Sequence, residues 1–364
     1  MNARTWFRNC IALILIIAVL FSAMVVFLDP FLHYHAPLDG FYYVLDEQRM
    51  QNDGIIRQLD YDAIITGTSM TENFKTSEMD ALFGTSSIKV PFAGATYKEV
   101  NDNLEVAFAT HSNIRIVVRG LDLSLLDKDA NALRDDMGDY PLYLYNDNPV
   151  DDIKYLLNRD AIGRYCGMMV LRKLRGHAGG MTSFDEYSYT GEMNVYAPDY
   201  ALQWDYTFSE PAKEVPVTQE DIERTRENIR QNVCALAKQH PETLFYYFIP
   251  PYNMAYWGTE RENGTLERSL FLHRMLIEEM IAVDNIRLFA FGTRTEITAD
   301  LSKYHDLGHY SPDVNTWILQ RMAWGTKEDG LITGENAEAY LTQFETLVRT
   351  YNYDELLEQV REFM

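Results

Sequence analysis

The sequence predicts an α/β protein: a three-layer α/β/α sandwich around a mostly parallel sheet, preceded by one N-terminal transmembrane helix. Three observations predict it. Short β-branched runs alternate with longer stretches of helical spacing, which implies parallel βαβ units. The alternation stops between about residues 124 and 216. Residues 11–28 contain no charge. At about 100–200 residues per domain, 364 residues accommodate one large domain with an insertion. The expected division is a cytoplasmic tail and transmembrane anchor (1–30), a juxtamembrane connector (31–60) and an α/β domain (61–364). The insertion, 124–216, reads as a cap folded onto the sheet.

The anchor comes first. Ile11–Leu28 reads IALILIIAVLFSAMVVFL. At about 1.5 Å per residue it nearly crosses a hydrocarbon core of about 30 Å. Trp6 suits an interfacial ring, Arg4 and Arg8 precede the run, and Asp29 follows it. The positive-inside rule then places the N-terminus in the cytoplasm and everything after residue 30 outside. The expected location is the cell membrane, single-pass, with the bilayer engaged through residues 11–28. A cleaved signal peptide is the competing reading. Its apolar core usually has only about 7–15 residues, and no clear A-x-A site follows Ser22-Ala23.

Beyond the anchor, strands are expected at Ala63–Thr66, Ile88–Phe92, Ile114–Val118, Thr243–Ile249 and Ile286–Phe291. They are rich in β-branched and aromatic residues and several are closed by Gly or Pro. Helical spacing marks Thr71–Phe83, Tyr97–Thr110, Thr218–Lys238, Leu266–Val283, Pro312–Ala323 and Ala337–Phe363. Thr218, with Asp221 three residues on, reads as an N-cap. One helical piece, Asp151–Leu174, falls inside the insertion.

Charge and composition exclude several functions. With 32 basic and 54 acidic residues the net charge is −22. That argues against nucleic acid as a partner, because phosphate binding needs a clustered positive surface. It also disfavours broad contact with anionic lipid. Three cysteines cannot form a disulfide framework; only Cys166 and Cys234 are free of the apolar run, and nothing requires them to pair. No group of His, Asp, Glu or Cys has metal-ligand spacing, and neither G-x-x-x-x-G-K-[ST] nor G-x-G-x-x-G occurs. No cofactor is expected.

Two segments carry residues with chemistry. In Ile65-Thr66-Gly67-Thr68-Ser69-Met70-Thr71 a strand runs through glycine into a serine and then a helix. Ligands of open parallel sheets bind at the carboxyl ends of strands. The free N–H groups and dipole of the following helix favour a developing oxyanion. A serine there also serves as a plain cap. Far downstream, Asp306-Leu307-Gly308-His309 puts a carboxylate and an imidazole three residues apart on one loop. A serine nucleophile needs an imidazole to take its proton and a carboxylate to orient that imidazole. Alone, His309 would be a helix cap and Asp306 a turn residue.

Together, Gly67-x-Ser69, Gly94 after the second strand and Asp306-x-x-His309 resemble the SGNH/GDSL hydrolase superfamily, in its membrane-anchored branch that modifies bacterial surface polysaccharides. The likeness covers about residues 60–125 and 240–325 and implies a flavodoxin-like sheet. It implies Ser69 as nucleophile, His309 as base, Asp306 as the group orienting it, and the N–H groups of Ser69 and Gly94 as an oxyanion hole. The sequence departs from the family in two places. Thr68 stands where G-D-S has Asp. The third strand ends Arg119-Gly120-Leu121-Asp122, with Leu121 where the G-x-N-D block suggests Asn. Arg119 and Asp122 are candidates for polar contacts near the site, against readings as a surface ion-pair partner and a structural turn. After the fourth strand, Tyr252 and Asn253 suit a sugar that stacks and hydrogen-bonds; the alternative is a Pro-stiffened covering loop. The expected function is a membrane-tethered, extracytoplasmic serine esterase or O-acyltransferase. It would act on acyl groups, by preference acetyl, of a cell-surface glycan through an acyl-serine. The resemblance implies a membrane-bound O-acyltransferase as partner. The altered middle block supports the alternative of an inactive scaffold or glycan-binding subunit.

Overall fold

A computed structural model describes residues 2–134, 141–146, 148–203 and 205–363. Parts of the expected insertion (135–140, 147 and 204) lie outside these. The chain forms two compact units: residues 1–60 with 135–183, and 61–134 with 184–364.

The first unit begins with the helix Ala3–Leu28, N-capped by Asn2, whose Oδ1 accepts from the Thr5 N–H at 2.9 Å. Its 26 residues span roughly 39 Å and are apolar enough to cross a membrane. Val25 and Leu28 are its buried residues. The helix stops at Asp29, which adopts the left-handed conformation at φ 42°. The buried Asp29 carboxylate accepts from the N–H groups of His33 (3.0 Å), Tyr34 (2.7 Å) and His35 (2.9 Å) and from the Tyr155 hydroxyl (2.8 Å). Phe31 stacks on Tyr155 with centroids 5.2 Å apart. Tyr42–Tyr43 pairs in parallel with Gly180–Met181. The expected boundaries are therefore corrected. Connector 31–60 is not a separate linker, and the insertion is not one piece, because residues 135–183 group with the connector and supply it with Tyr155 and the Gly180–Met181 strand. The expected helix over Asp151–Leu174 resolves into Ile153–Leu156, a π-helical stretch Ala161–Cys166 and Gly167–Leu174.

The second unit holds a six-stranded sheet: β1 (Ala63–Gly67), β2 (Ser87–Pro91), β3 (Ile116–Gly120), β4 (Leu244–Ile249), β5 (Ile286–Ala290) and β6 (Leu331–Ile332). The order is β2-β1-β3-β4-β5-β6. The first five run parallel and β6 pairs antiparallel to β5. Every residue of β1, β2 and β3 is buried, as expected of parallel strands covered on both faces, and the burial includes the polar Thr66, Ser87, Lys89 and Arg119. Helices α1 (Thr76–Phe83), α2 (Tyr97–Thr110), α3 (Gln219–Ile229), α4 (Met254–Glu262), α5 (Leu266–Met280), α6 (Pro312–Trp324), α7 (Ala337–Thr350) and α8 (Asp354–Phe363) belong to the same unit. Thr218 caps α3 in a capping box with Asp221, as its spacing predicts.

The expected helix Thr218–Lys238 continues past α3 through a π-helical stretch, Arg230–Cys234, to Gln239, but two other expected helices of this unit are broken. The segment after Ser69 makes only a 3₁₀ turn, Ser69–Thr71, before α1 starts at Thr76. Fully buried Lys89 explains the break: its Nζ donates to the carbonyls of Glu72 (2.5 Å) and Phe74 (2.9 Å), so the chain need not coil to satisfy them. The C-terminal helix is interrupted between Thr350 and Asp354, where Tyr353 turns inward and its hydroxyl caps the Val348 carbonyl at 2.7 Å. Cys10, Cys166 and Cys234 are free thiols.

Candidate active site

The sheet reverses direction of growth at β1, with β2 on one side and β3 and the later strands on the other. A crevice opens at the carboxyl ends of strands at such a switch point. β1 leads into Gly67, at φ +140°; a Cβ there would lie 2.8 Å from Thr71 Cγ2 and 3.1 Å from the Gly120 nitrogen. Only glycine lets the ends of β1 and β3 approach this closely. Thr68 and Ser69 follow at once.

The Ser69 Oγ lies 2.7 Å from His309 Nε2, and His309 Nδ1 lies 2.7 Å from Asp306 Oδ2. The other Asp306 oxygen accepts from the N–H groups of Gly308 (2.8 Å) and His309 (2.7 Å). Two residues 240 positions apart in sequence thus meet. The downstream loop is pinned from both sides. Tyr304 and Tyr310 pair across its base, and Tyr304 OH donates to the Pro251 carbonyl at 2.5 Å. Tyr310 OH and Asn315 Nδ2 both donate to the carbonyl of Met70, the residue after the serine, at 3.3 and 3.2 Å.

Burial works against ionising Asp306, but the bonds from His309 and the two N–H groups outweigh it and hold the carboxyl at about 2. The same Asp306 bond raises His309 above its ordinary value, against the opposing effect of burial; the charges of Asp306 and Asp122 add to it. With Asp306 ionised, Nδ1 carries its proton toward it and the Nε2 lone pair faces Ser69.

A cleft of about 430 Å³ opens over this chain. Ser69, Gly94, Asp122, Tyr252, Asp306 and His309 all line it. Gly94 has φ +65°, a left-handed conformation that favours glycine, and the Arg134 guanidinium packs against it where a Cβ would stand. Asp122 accepts from the Thr68 hydroxyl through one oxygen and from Tyr252 OH, 2.8 Å, through the other. Burial pushes its carboxyl up, and these two bonds only partly offset that.

Two expected contacts are corrected. Arg119 is fully buried; it donates to the carbonyls of Asn232 (2.7 Å) and Tyr97 (3.1 Å), away from the cleft. Asn253 is fully buried too: its Oδ1 caps α4 through the Tyr256 N–H (3.1 Å) and its Nδ2 donates to the Asp306 carbonyl (3.0 Å). It supports the acid loop instead of facing a ligand. Leu121 is buried as well, so the middle-block residue that faces the cleft is Asp122. Counting G-x-N-D from Gly120 gives this position. Thr68, which the sequence marks only as a departure from G-D-S, and Tyr256 both line the cleft. Thr68 binds Asp122, and Tyr256 stacks on Tyr252 with centroids 4.6 Å apart at the cleft wall. Among the described residues no cluster of three or more His, Cys, Asp or Glu side chains is arranged to hold a metal ion.

No family model, curated protein or solved structure matches this chain.

Proposed function

We propose that this protein is a membrane-tethered serine esterase or O-acyltransferase of the SGNH type, acting outside the cytoplasm on acyl groups of a cell-surface polysaccharide. The observation that carries this reading is the unbroken Ser69–His309–Asp306 chain opening on a cleft. In this reading the parallel sheet is the middle of a three-layer α/β/α sandwich with flavodoxin-like strand order.

Ser69 Oγ attacks the ester carbonyl carbon while His309 Nε2 takes its proton. The N–H groups of Ser69 and Gly94 face the developing oxyanion. The C–O bond to the leaving sugar breaks as His309 returns the proton to that oxygen, leaving acyl-Ser69. Water, or a second glycan hydroxyl, then gives its proton to His309 and attacks the acyl carbon; Ser69 recovers the proton. Tyr256, backed by the buried Tyr252 ring, offers the cleft wall against which a sugar ring packs. A membrane-bound O-acyltransferase that delivers the acyl group is the partner this reading expects.

One observation favours a second reading, an inactive glycan-binding subunit. Asp122 supplies a carboxyl where an amide donor is expected, and a charged carboxylate would oppose an oxyanion. Turnover of an acetyl-ester chromogenic substrate separates the two. The enzyme reading expects activity that Ser69→Ala lowers by on the order of 10⁴-fold or more while the fold is kept. Absence of turnover by the wild-type chain, together with no labelling by a serine-directed phosphonate, would leave the binding reading.

A further inference from the structure

We infer that the helix Gly167–Leu174 lies in the outer interface of the membrane, its exposed apolar stripe in the acyl boundary and its basic residues among anionic phospholipid headgroups. This rests on the reading of Ala3–Leu28 as a membrane span.

The stripe is built by the helix itself. At about 100° per residue, Val170, Leu171 and Leu174 fall within one outward arc of about 100°, opposite buried Met169. Leu174 is 80% exposed. Large aliphatic side chains grouped on the solvent face of a helix mark a surface that meets something apolar.

Charge names the occupant. The chain carries a net −22, yet residues 159–177 hold five Arg and Lys against one acid, Asp160. Arg164 is engaged with Asp46 and Glu47, and Arg172 lies over the Tyr42 ring at 4.2 Å. Lys173 and Arg175 flank the apolar arc on its two sides. An apolar stripe bordered by cations is the pattern of a helix lying on an anionic leaflet. The expectation that so acidic a chain avoids anionic lipid fails locally because the charge is unevenly placed.

Position names the leaflet. Pro30, directly after the N-terminal helix, lines one cavity of about 90 Å³ with Met168 and Met169. At the other end, Phe41 contacts both Phe27, in the last turn of the N-terminal helix (6.2 Å), and Lys173 Nζ (3.9 Å). The helix therefore runs beside the point where the span ends, on the side away from Arg4 and Arg8.

The test uses the full chain in vesicles of phosphatidylcholine mixed with phosphatidylglycerol. Nitroxide labels are placed singly at Leu174→Cys, Val19→Cys and Met193→Cys, with the native cysteines replaced by alanine. Collision with oxygen and with a water-soluble nickel chelate reports depth. The inference expects the Leu174 and Val19 labels to be several-fold more accessible to oxygen than to nickel, and the Met193 label the reverse. It also expects Lys173→Glu with Arg175→Glu to return the Leu174 label to water. An inserted Val19 label beside an aqueous Leu174 label overturns the inference and leaves the span standing. An aqueous Val19 label removes both. An unchanged depth after charge reversal overturns the headgroup contact. Should the cysteine-free background fold poorly, hydrogen exchange on the unsubstituted chain decides. Amides of residues 167–176 should exchange several-fold more slowly in the mixed vesicles than in phosphatidylcholine alone, and equal rates overturn the inference.

Discussion

His309 stands between two oxygens, each 2.7 Å away, and its charge state governs the proposed reaction. A base must be unprotonated, and Asp306 holds this imidazole above its ordinary value of about 6.5. Activity should therefore rise with pH through a midpoint above about 6.5. Asp306→Asn should lower kcat/KM by on the order of 10³–10⁴-fold and move that midpoint down. A rate that falls across the same range would show that His309 is not the base. Asp122 also raises His309. Asp122→Asn should thus shift the midpoint downward without removing the Ser69–His309 contact, read from the pH profile of the variant; an unmoved midpoint contradicts the proposed coupling. Stability runs the other way. The raised His309 contributes stability below its unfolded value, and this is lost as pH climbs through the folded one. The depressed Asp306 contributes above the ordinary carboxylate range, and this is lost as pH falls through about 2. The pair stabilises the fold most between about pH 4 and 6.5, below the range where catalysis needs it.

Among the elements, the turn after Ser69 depends on Lys89. Burial pushes its amine down to about 7. Between about 7 and 10.5 the unfolded chain binds the extra proton, so Lys89's contribution makes the fold more stable as pH rises. Urea midpoints of the wild-type chain should rise from pH 7 to 9 relative to Lys89→Met, which removes the slope. The substitution should also destabilise by about 1–3 kcal/mol per carbonyl left unpaired. Parallel slopes for the two proteins would place the titration elsewhere. Lys89 also shows why local pattern misled. Residues 71–83 have helical spacing, but a side chain from a different strand took the carbonyls. The five parallel strands were legible from their β-branched and aromatic residues, several closed by Gly or Pro, even though Ser87, Lys89 and Arg119 interrupt the apolar runs. Asn253 was misread for the converse reason. Its amide suits a sugar in composition, and only the fold shows it already spent on a helix cap and the acid loop. Asn253→Ala should cost about 1 kcal/mol in thermal stability. It should lower kcat more than it changes KM, since it holds Asp306 and touches no ligand; a pure KM effect would return it to the cleft.

Across the whole molecule, the triad was legible because its two segments carry distinctive short patterns, G-x-S and D-x-x-H, however far apart they lie. The partition into two units was not. Pairing of Tyr42–Tyr43 with Gly180–Met181, and of Asp29 with Tyr155, leaves no trace in local spacing. The side-chain direction that selects Asp122 over Leu121 is likewise set by packing against β4, where the Leu121 N–H donates to the Phe248 carbonyl at 2.9 Å. What unites the fold and the chemistry is the meeting of Ser69 and His309 over one cleft. Mass spectrometry of the intact chain after brief exposure to an activated acetyl ester tests that meeting most directly. The account predicts a single acetyl group on the peptide containing Ser69, absent from Ser69→Ala and much slower to form in His309→Ala. Acetyl groups spread over lysines and other serines, with Ser69 no faster than they, would contradict it.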